Sequence, residues 1–537
     1  MTPITNGSRR NRGRGVRAMA CLAAVLAFPA GAQAGQGPDF NGDNQDDVAV
    51  GVSSEALSGF SGAGAVNVIY GETASGLGLF TDQFWHQDRL QIKGSLGEFD
   101  LFGEAVATGD FDGDGKDDMA VGVPREDVGG KPDAGAVNVI YGGSAGLTGD
   151  GNQIFTEDKE GLPTDANNNE YFGTAVVSGD FDNDGRDDLA VGTRSQNVGT
   201  VKAAGQVVVL YGTAGDGLKA AGSQVFNQAS IGVLGDAEEG DHFGEELAAG
   251  DFNGDGRDDL AVGTPDDSEA ANLSGSVNVL YGNGPAGLTT TGSDLWTQGS
   301  PGIGGVAEVG DGFGAALAAG DFGDFGDDGR GDLAIGVPGE DAGQVGSAGA
   351  VNVIYGSAIG LDANGDQLID QNTAGVFDDP EVADGFGAAL AAGDLDDVNG
   401  DDLLIGTPGE AVVDVAKAGT VHAIYSDATD LDPTTDEVWS QDTFGIADSA
   451  DPSDVFGSAL TVGDVDEDGV TDAVVGAPGE TLPGANAAGA IQVIHGVANT
   501  GLTHVENQFL TQDSLGIKNK AEPFDSFGDV LGIKPPA

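Results

Sequence analysis

The sequence predicts an all-β fold: seven four-stranded blades forming a β-propeller, its ring closed by the C-terminal strand. Three observations predict it. An acidic loop begins at Asp39, Asp110, Asp180, Asp251, Asp321, Asp394 and Asp464, in steps of 71, 70, 71, 70, 73 and 70 residues. Two further landmarks hold the same phase. A GAVNVIYG-type run ends at Tyr70, Tyr141, Tyr211, Tyr281, Tyr355, Tyr425 and His495, and a short segment centres on Trp85, Phe155, Phe226, Trp296, Ile369, Trp439 and Leu510. Between them the chain supplies short apolar runs bounded by Gly, Asp, Asn and Pro, with no capped helical pattern of ten or more residues.

Taken in order, the first element is a leader. Residues 1–34 hold five arginines and no acid, an apolar core over 18–31, and a small-x-small pattern at Ala32-Gln33-Ala34. They are expected to be a signal peptide cleaved after Ala34, since about 14 apolar residues are too few to span a bilayer. Ser8-Arg9-Arg10 leaves the export route open, because hydrophobic residues do not directly follow the pair. The single cysteine, Cys21, leaves with the leader, so the mature chain is expected to have no thiol or disulfide chemistry. Residues 35–537 then form the propeller, with no later stretch long and apolar enough to be transmembrane.

Each unit reads as four strands: FGxAL, DLAVG, GAVNVIY and the Trp/Phe segment. The chain enters at the acidic loop at Asp39 without an FG strand before it, and Phe527-Gly528 supplies an FG strand without a loop after it. That strand is expected to complete the first blade and remove the exposed sheet edges.

Composition narrows the partners. The formal charge is −67, and without the leader 16 basic residues face 88 acidic ones, a balance of −72. Such a polyanion repels nucleic acid and anionic membrane. It also fits a saline habitat. The 94 glycines have no Gly-X-Y period, which excludes collagen.

The acidic loops carry the chemistry. Asp110, Asp112, Asp114 and Asp118 stand at positions 1, 3, 5 and 9, with the Lys116 carbonyl at position 7 and Gly115 at the turn. That is an oxygen set for a hard divalent cation, Ca²⁺ before Mg²⁺, and position 12 is Val121 rather than an EF-hand glutamate. Equivalent sets are Asp180, Asp182, Asp184, Arg186 (carbonyl) and Asp188, and Asp464, Asp466, Asp468, Val470 (carbonyl) and Asp472. Asp251, Asn253, Asp255, Arg257 (carbonyl) and Asp259 exchange one carboxylate for an amide, as do Asp39, Asn41, Asp43 and Asp47, where Asn44 replaces the glycine. The fifth loop, with Asp324, Asp328 and Asp332, has three extra residues; the sixth, with Asp394, Asp396 and Asp402, has Val398 in place of a ligand. These two are expected to bind weakly or not at all.

With FG, the DxDxDGxxD loop and AVGxP in phase, residues 38–533 resemble the FG-GAP repeats of integrin α-subunit propellers; similar repeats occur in glycosylphosphatidylinositol-specific phospholipase D. The resemblance implies Ca²⁺ in hairpin loops on one face and protein or glycan binding through the other. The DxSxS adhesion motif is not found, its nearest string starting at Asn272, and the first loop begins only four positions after Gly35, so adhesion partner and lipase activity are not expected to transfer.

Other residues favour plain readings. Arg330-Gly331-Asp332 is a loop terminus, because Asp332 is the last ligand position. His86, His242, His422, His495 and His504 fall at different phases and suggest packing or surface roles. Trp85, Trp296 and Trp439 keep a packing phase, and no catalytic carboxylate pair stands out. The function expected is a secreted or cell-surface, calcium-binding, non-enzymatic interaction or adhesion module. It is expected to be monomeric, without nucleic-acid partner or membrane insertion, with the periplasm as the alternative compartment. The alternatives are an extracellular hydrolase of phospholipase or glycan type using the channel, and a structural protein of an extracellular layer.

Overall fold

A computed structural model describes residues 37–72, 76–78, 82–268, 273–323 and 329–532. The leader therefore lies outside the described residues. Seven four-stranded antiparallel sheets form seven blades, and the only helical turns among the described residues are 3-10 turns at Gly284–Ala286 and Pro433–Thr435. Blade 2 is typical, with strands Ala105–Gly109, Asp118–Val123, Ala136–Tyr141 and Thr148–Phe155 in that order across the sheet. No helix among the described residues is long and apolar enough to cross a membrane.

Strands of soluble antiparallel sheets usually alternate apolar and polar residues, but here the first three strands of blade 2 are buried throughout. Blades are covered on both faces, so continuous apolar runs are what the fold demands. The innermost strands are the smallest in side chain, AVATG, ELAAG and ALAAG among them, because seven blades converge there. Hydrophobic clusters accordingly join neighbouring blades. One joins Val474, Ile491 and Leu510 of the seventh blade to Val48, Val50 and Leu531 of the first.

The FG motif locks adjacent blades. Phe172, fully buried, makes a parallel bridge with Gly135 at the start of the preceding blade's third strand, and Phe102 does the same with Gly64. Gly135 has φ +91, and a Cβ there would stand 2.3 Å from the Phe172 carbonyl oxygen, so only glycine fits.

The ring closes as the sequence predicts. Val530–Gly532 pairs antiparallel with Val48–Val52, in the register Ala49 to Gly532, Val50 to Leu531 and Gly51 to Val530. The first blade thus takes its inner strand from the far end of the chain, and that strand contacts the inner strands of blades 7 and 2.

Candidate metal centres in the blade hairpins

In blades 2 to 7 each acidic loop joins the first and second strands, and in blade 1 the loop leads into the second strand Val48–Val52, so all seven fall at one end of the ring. In blade 2 the loop folds around Asp110. Its Oδ1 accepts the N–H groups of Gly113 (2.8 Å) and Asp114 (3.0 Å), and its Oδ2 accepts that of Gly115 (2.9 Å). Asp112 Oδ1 accepts from Asp114, and Lys116 pairs with Asp114 at 2.9 Å. Blade 3 repeats the pattern, with Arg186 on Asp184, and blade 4 has Arg257 on Asp255 at 2.6 Å. In the first loop Asp39 receives Gly42, Asp43 and Asn44, and Asn44 takes φ 62, the left-handed turn expected of it.

Carboxylate oxygens of Asp110, Asp112 and Asp118 lie within 4.8 Å of one another, as do those of Asp180, Asp182 and Asp188. Asp182 Oδ1 is buried without a hydrogen-bond partner. Burial pushes Asp118 and Asp188 up to about 9, with Asp112 and Asp110, or Asp182 and Asp180, adding to the rise. Without a cation, burial therefore disfavours the charged form of these two carboxylates. A hard divalent ion would supply the missing positive charge, and the all-oxygen donor set fits Ca²⁺.

The ninth carboxylate does more than sequence reasoning assigned it. Both oxygens of Asp118 accept backbone N–H groups, from Phe111 (3.0 Å) and Gly142 (2.8 Å). The same pair of bonds recurs at Asp47, Asp188, Asp259, Asp332, Asp402 and Asp472. The residue thus pins the hairpin to the third strand of its own blade, which accounts for its presence even in the two altered loops. Asp332, the last residue of the Arg-Gly-Asp string, is fully buried in this role.

The altered loops differ as follows. Asp324 and Asp328 lie outside the described residues. In the sixth loop Asp394 accepts Val398 N–H at 3.2 Å, Asp397 and Asn399 both take positive φ, and Asp396 Oδ1 is buried without a partner. Asn253 turns its amide nitrogen to Asp259, at 3.1 Å from Oδ2.

The eighth residue escaped sequence reasoning entirely. Asp117 Oδ2 accepts the N–H of Asp39 (2.8 Å), and the Asp117 N–H donates to the Asp39 carbonyl (3.1 Å). Asp187 does this to Asp110, Asp258 to Asp180 and Asp401 to Asp321. Asp46 Oδ2 accepts from Asp464 at 2.9 Å, which clamps blade 1 to blade 7. The signal was the doubled Asp-Asp: its first member holds the preceding blade's loop, its second closes its own. Gly331 and Thr471 stand at this position in blades 5 and 7 and keep only the backbone bond.

Two histidines stand among carboxylates. His495 stands beside Asp466 and Asp472, and His242 beside Glu245 and Asp266, each set with ligand atoms within 4.8 Å of one another. His422 is fully buried against Asp436, a packing role. Trp85 is buried as expected, and Trp296 packs against the core partly exposed.

Residues 102–140, 172–210, 243–281 and 456–494 match the FG-GAP repeat. These are the first three strands of blades 2, 3, 4 and 7, the blades whose loops keep all four side-chain ligand positions and the glycine. Among known proteins, the chain is 29% identical over 291 residues to integrin alpha-PS2 of Drosophila melanogaster, covering 52% of this chain and 18% of that protein. It is 34% identical over 200 residues to integrin alpha pat-2 of Caenorhabditis briggsae, covering 35% of this chain and 14% of that one. It is 31% identical over 163 residues to phosphatidylinositol-glycan-specific phospholipase D of Mus musculus, covering 30% and 18%. The chain therefore spans less than a fifth of these relatives. Rhamnogalacturonan lyase YesW superimposes with a TM-score of 0.35 at 12% identity, over 94% of this chain and 84% of that one, a likeness that supports no inference. Four FG-GAP repeats thus sit in a closed seven-bladed β-propeller, and over part of its length the chain is similar to integrin α-subunits.

Proposed function

We propose that residues 35–537 form a calcium-stabilised, non-enzymatic interaction module, exported behind a signal peptide over residues 1–34 and acting outside the cell or on its surface. One observation carries the reading: the exposed large apolar side chains sit on one face. Among the described residues all but Ile359 and Val505 lie in the connections that run from second to third strand, or from fourth strand to the next blade. In an antiparallel blade those connections emerge at the end opposite the acidic hairpins. Leu90, Ile231, Phe444 and Leu515 recur there in phase, each three residues after the buried glutamine at the end of its blade, at 86, 98, 86 and 75% exposure.

Repeated apolar residues at a surface do not help pack the blades, and on a protein this acidic they are the natural contacts for a partner. The rim nearer the axis adds charge on blades 2 to 4: Arg125 and Arg194 flank the Tyr171 ring at 5.8 and 5.4 Å, and Arg194 pairs with Glu245 at 3.2 Å. The face thus offers protein or glycan ligands an apolar ring and a charged centre, while cations in the hairpins brace the opposite end.

The test is capture on an array of extracellular-matrix proteins and glycans, in calcium, by the full chain and by Leu90→Asp combined with Phe444→Asp. Loss of capture at an unchanged melting temperature is expected. Unchanged capture by the double variant rejects this face, and phospholipid or polysaccharide turnover abolished by one channel substitution rejects the non-enzymatic reading.

A further inference from the structure

The seventh hairpin departs from its siblings at one buried position. In the other six blades a tyrosine stands at the end of the third strand or one residue from it, and five of the hydroxyls accept an N–H from the next blade: Leu147 on Tyr70, Leu218 on Tyr141, Leu288 on Tyr211, Leu361 on Tyr281 and Leu502 on Tyr425. Blade 7 has His495 there. The N–H it would have served, that of Leu77, goes to Gln508 Oε1 at 2.9 Å instead. The imidazole is thereby released from the packing role and turns toward the loop.

Its Nδ1 lies 3.2 Å from Asp472 Oδ1 and 3.5 Å from Asp466 Oδ2, the side chain is 7% exposed, and Nδ1 makes no hydrogen bond of acceptable geometry. These separations are those of neighbouring ligands on one ion. With bonds of about 2.0–2.2 Å, donor atoms around a tetrahedral or octahedral centre stand about 3–3.5 Å apart. Asp466 and Asp472 occupy positions 3 and 9, the positions that in blades 2 and 3 meet position 1 in an all-oxygen set. Oxygen-only loops suit calcium, which takes imidazole poorly, whereas one imidazole with two carboxylates suits first-row transition ions.

We infer that the seventh hairpin is a mixed nitrogen–oxygen site that takes a first-row transition dication of the Zn²⁺ or Cu²⁺ class in preference to calcium, with His495 Nδ1 as the selecting ligand. The inference rests on the reading of the hairpins as cation sites but differs from it in metal class. A ring of otherwise similar sites then carries one of different chemistry, next to the junction where the two ends of the chain meet.

The full chain is tested in excess calcium. Cu²⁺ is added and its paramagnetic resonance spectrum recorded, with Zn²⁺ affinity measured by calorimetry. One bound Cu²⁺ with coupling to a single nitrogen is expected to persist in calcium. His495→Tyr restores the residue of the six sibling blades, so it is expected to fold, to lose the nitrogen coupling and to weaken Zn²⁺ binding about tenfold or more. His242→Gln, which removes the other histidine with two carboxylate neighbours, leaves the signal unchanged. Nitrogen coupling that survives in His495→Tyr, or Cu²⁺ displaced by calcium, overturns the inference; so does a His495–Asp472 ion pair that binds no metal. Calcium-dependent melting of the wild type and of Asp182→Ala, measured alongside, reports on the calcium hairpins separately.

Discussion

The closing strand gives the largest effect to measure. Deleting residues 523–537 removes Phe527, Val530 and Leu531, all at most 4% exposed, and the pairing of Val530–Gly532 with Val48–Val52. Burial of each large apolar side chain contributes about 1.5–3 kcal/mol. Three of them give about 5–9 kcal/mol, before the exposed N–H and C=O groups of Val48–Val52 are counted. For a chain of this length the unfolding entropy is on the order of 1 kcal/mol per kelvin, so the melting temperature should fall by about 5–9 °C. The comparison is Asp182→Ala, which costs one cation site, about 1.4 kcal/mol when the ion is tenfold above its dissociation constant. Calorimetry and size-exclusion chromatography with light scattering are run on both proteins in calcium. The truncated chain should melt well below the point variant and associate through the uncovered edge of Val48–Val52. If it stays monomeric and melts as high as Asp182→Ala, closure in this register is refuted.

Chelation should lower the melting temperature by the loss of about 6 kcal/mol across the four oxygen-only hairpins of blades 1 to 4 at tenfold calcium excess, if they bind independently; calorimetry showing seven equivalent tight calcium sites would overturn the ranking against the fifth and sixth. Asp258→Ala leaves the part-buried N–H of Asp180 without its acceptor and should destabilise by about 2 kcal/mol, whereas Asp258→Asn keeps an acceptor oxygen and should cost far less; equal losses in denaturant titrations would dismiss the clamp. With calcium saturating, stability should fall as pH rises from 5 to 8. Burial raises Glu126, Glu340 and Glu410 from the ordinary 4.5 to about 7, so the folded state binds more protons across that interval. A melting temperature that climbs over the same range would contradict this.

The fold was legible because a propeller repeats its own evidence. Each landmark of one blade is checked against six copies, and strands, loops and ring closure all fall where the period puts them. The reasons behind the letters were hidden in contacts between copies. That Gly135 must be glycine follows from the Phe172 backbone 2.3 Å from where a Cβ would be, a neighbour 37 positions on. That the first aspartate of Asp-Asp clamps and the second anchors follows from which blade each faces, and the two letters are identical. Oxygen-rich spacing therefore led to Asp118 and Asp472 as cation ligands, while the structure adds that both oxygens already hold backbone N–H groups.

This double duty bears on how the hairpins respond to ions. A carboxylate has about four acceptor positions, so two backbone bonds leave room for a cation but fix the angle from which it is met. The ninth ligand is thus held in place with or without metal, anchored to the third strand, while positions 1, 3 and 5 hang on a turn made of Asp110-type bonds to loop N–H groups. Cation release should therefore loosen the turn and leave the blade intact. The clamp sits on the same turn: the N–H of Asp110 is bonded to Asp187, and that of Asp180 to Asp258. A loop that loosens on ion release should pull on the next blade's clamp, which would couple ion occupancy to blade-to-blade cohesion. Blades 5 and 7, with Gly331 and Thr471 at the clamp position, transmit that coupling through the backbone bond alone.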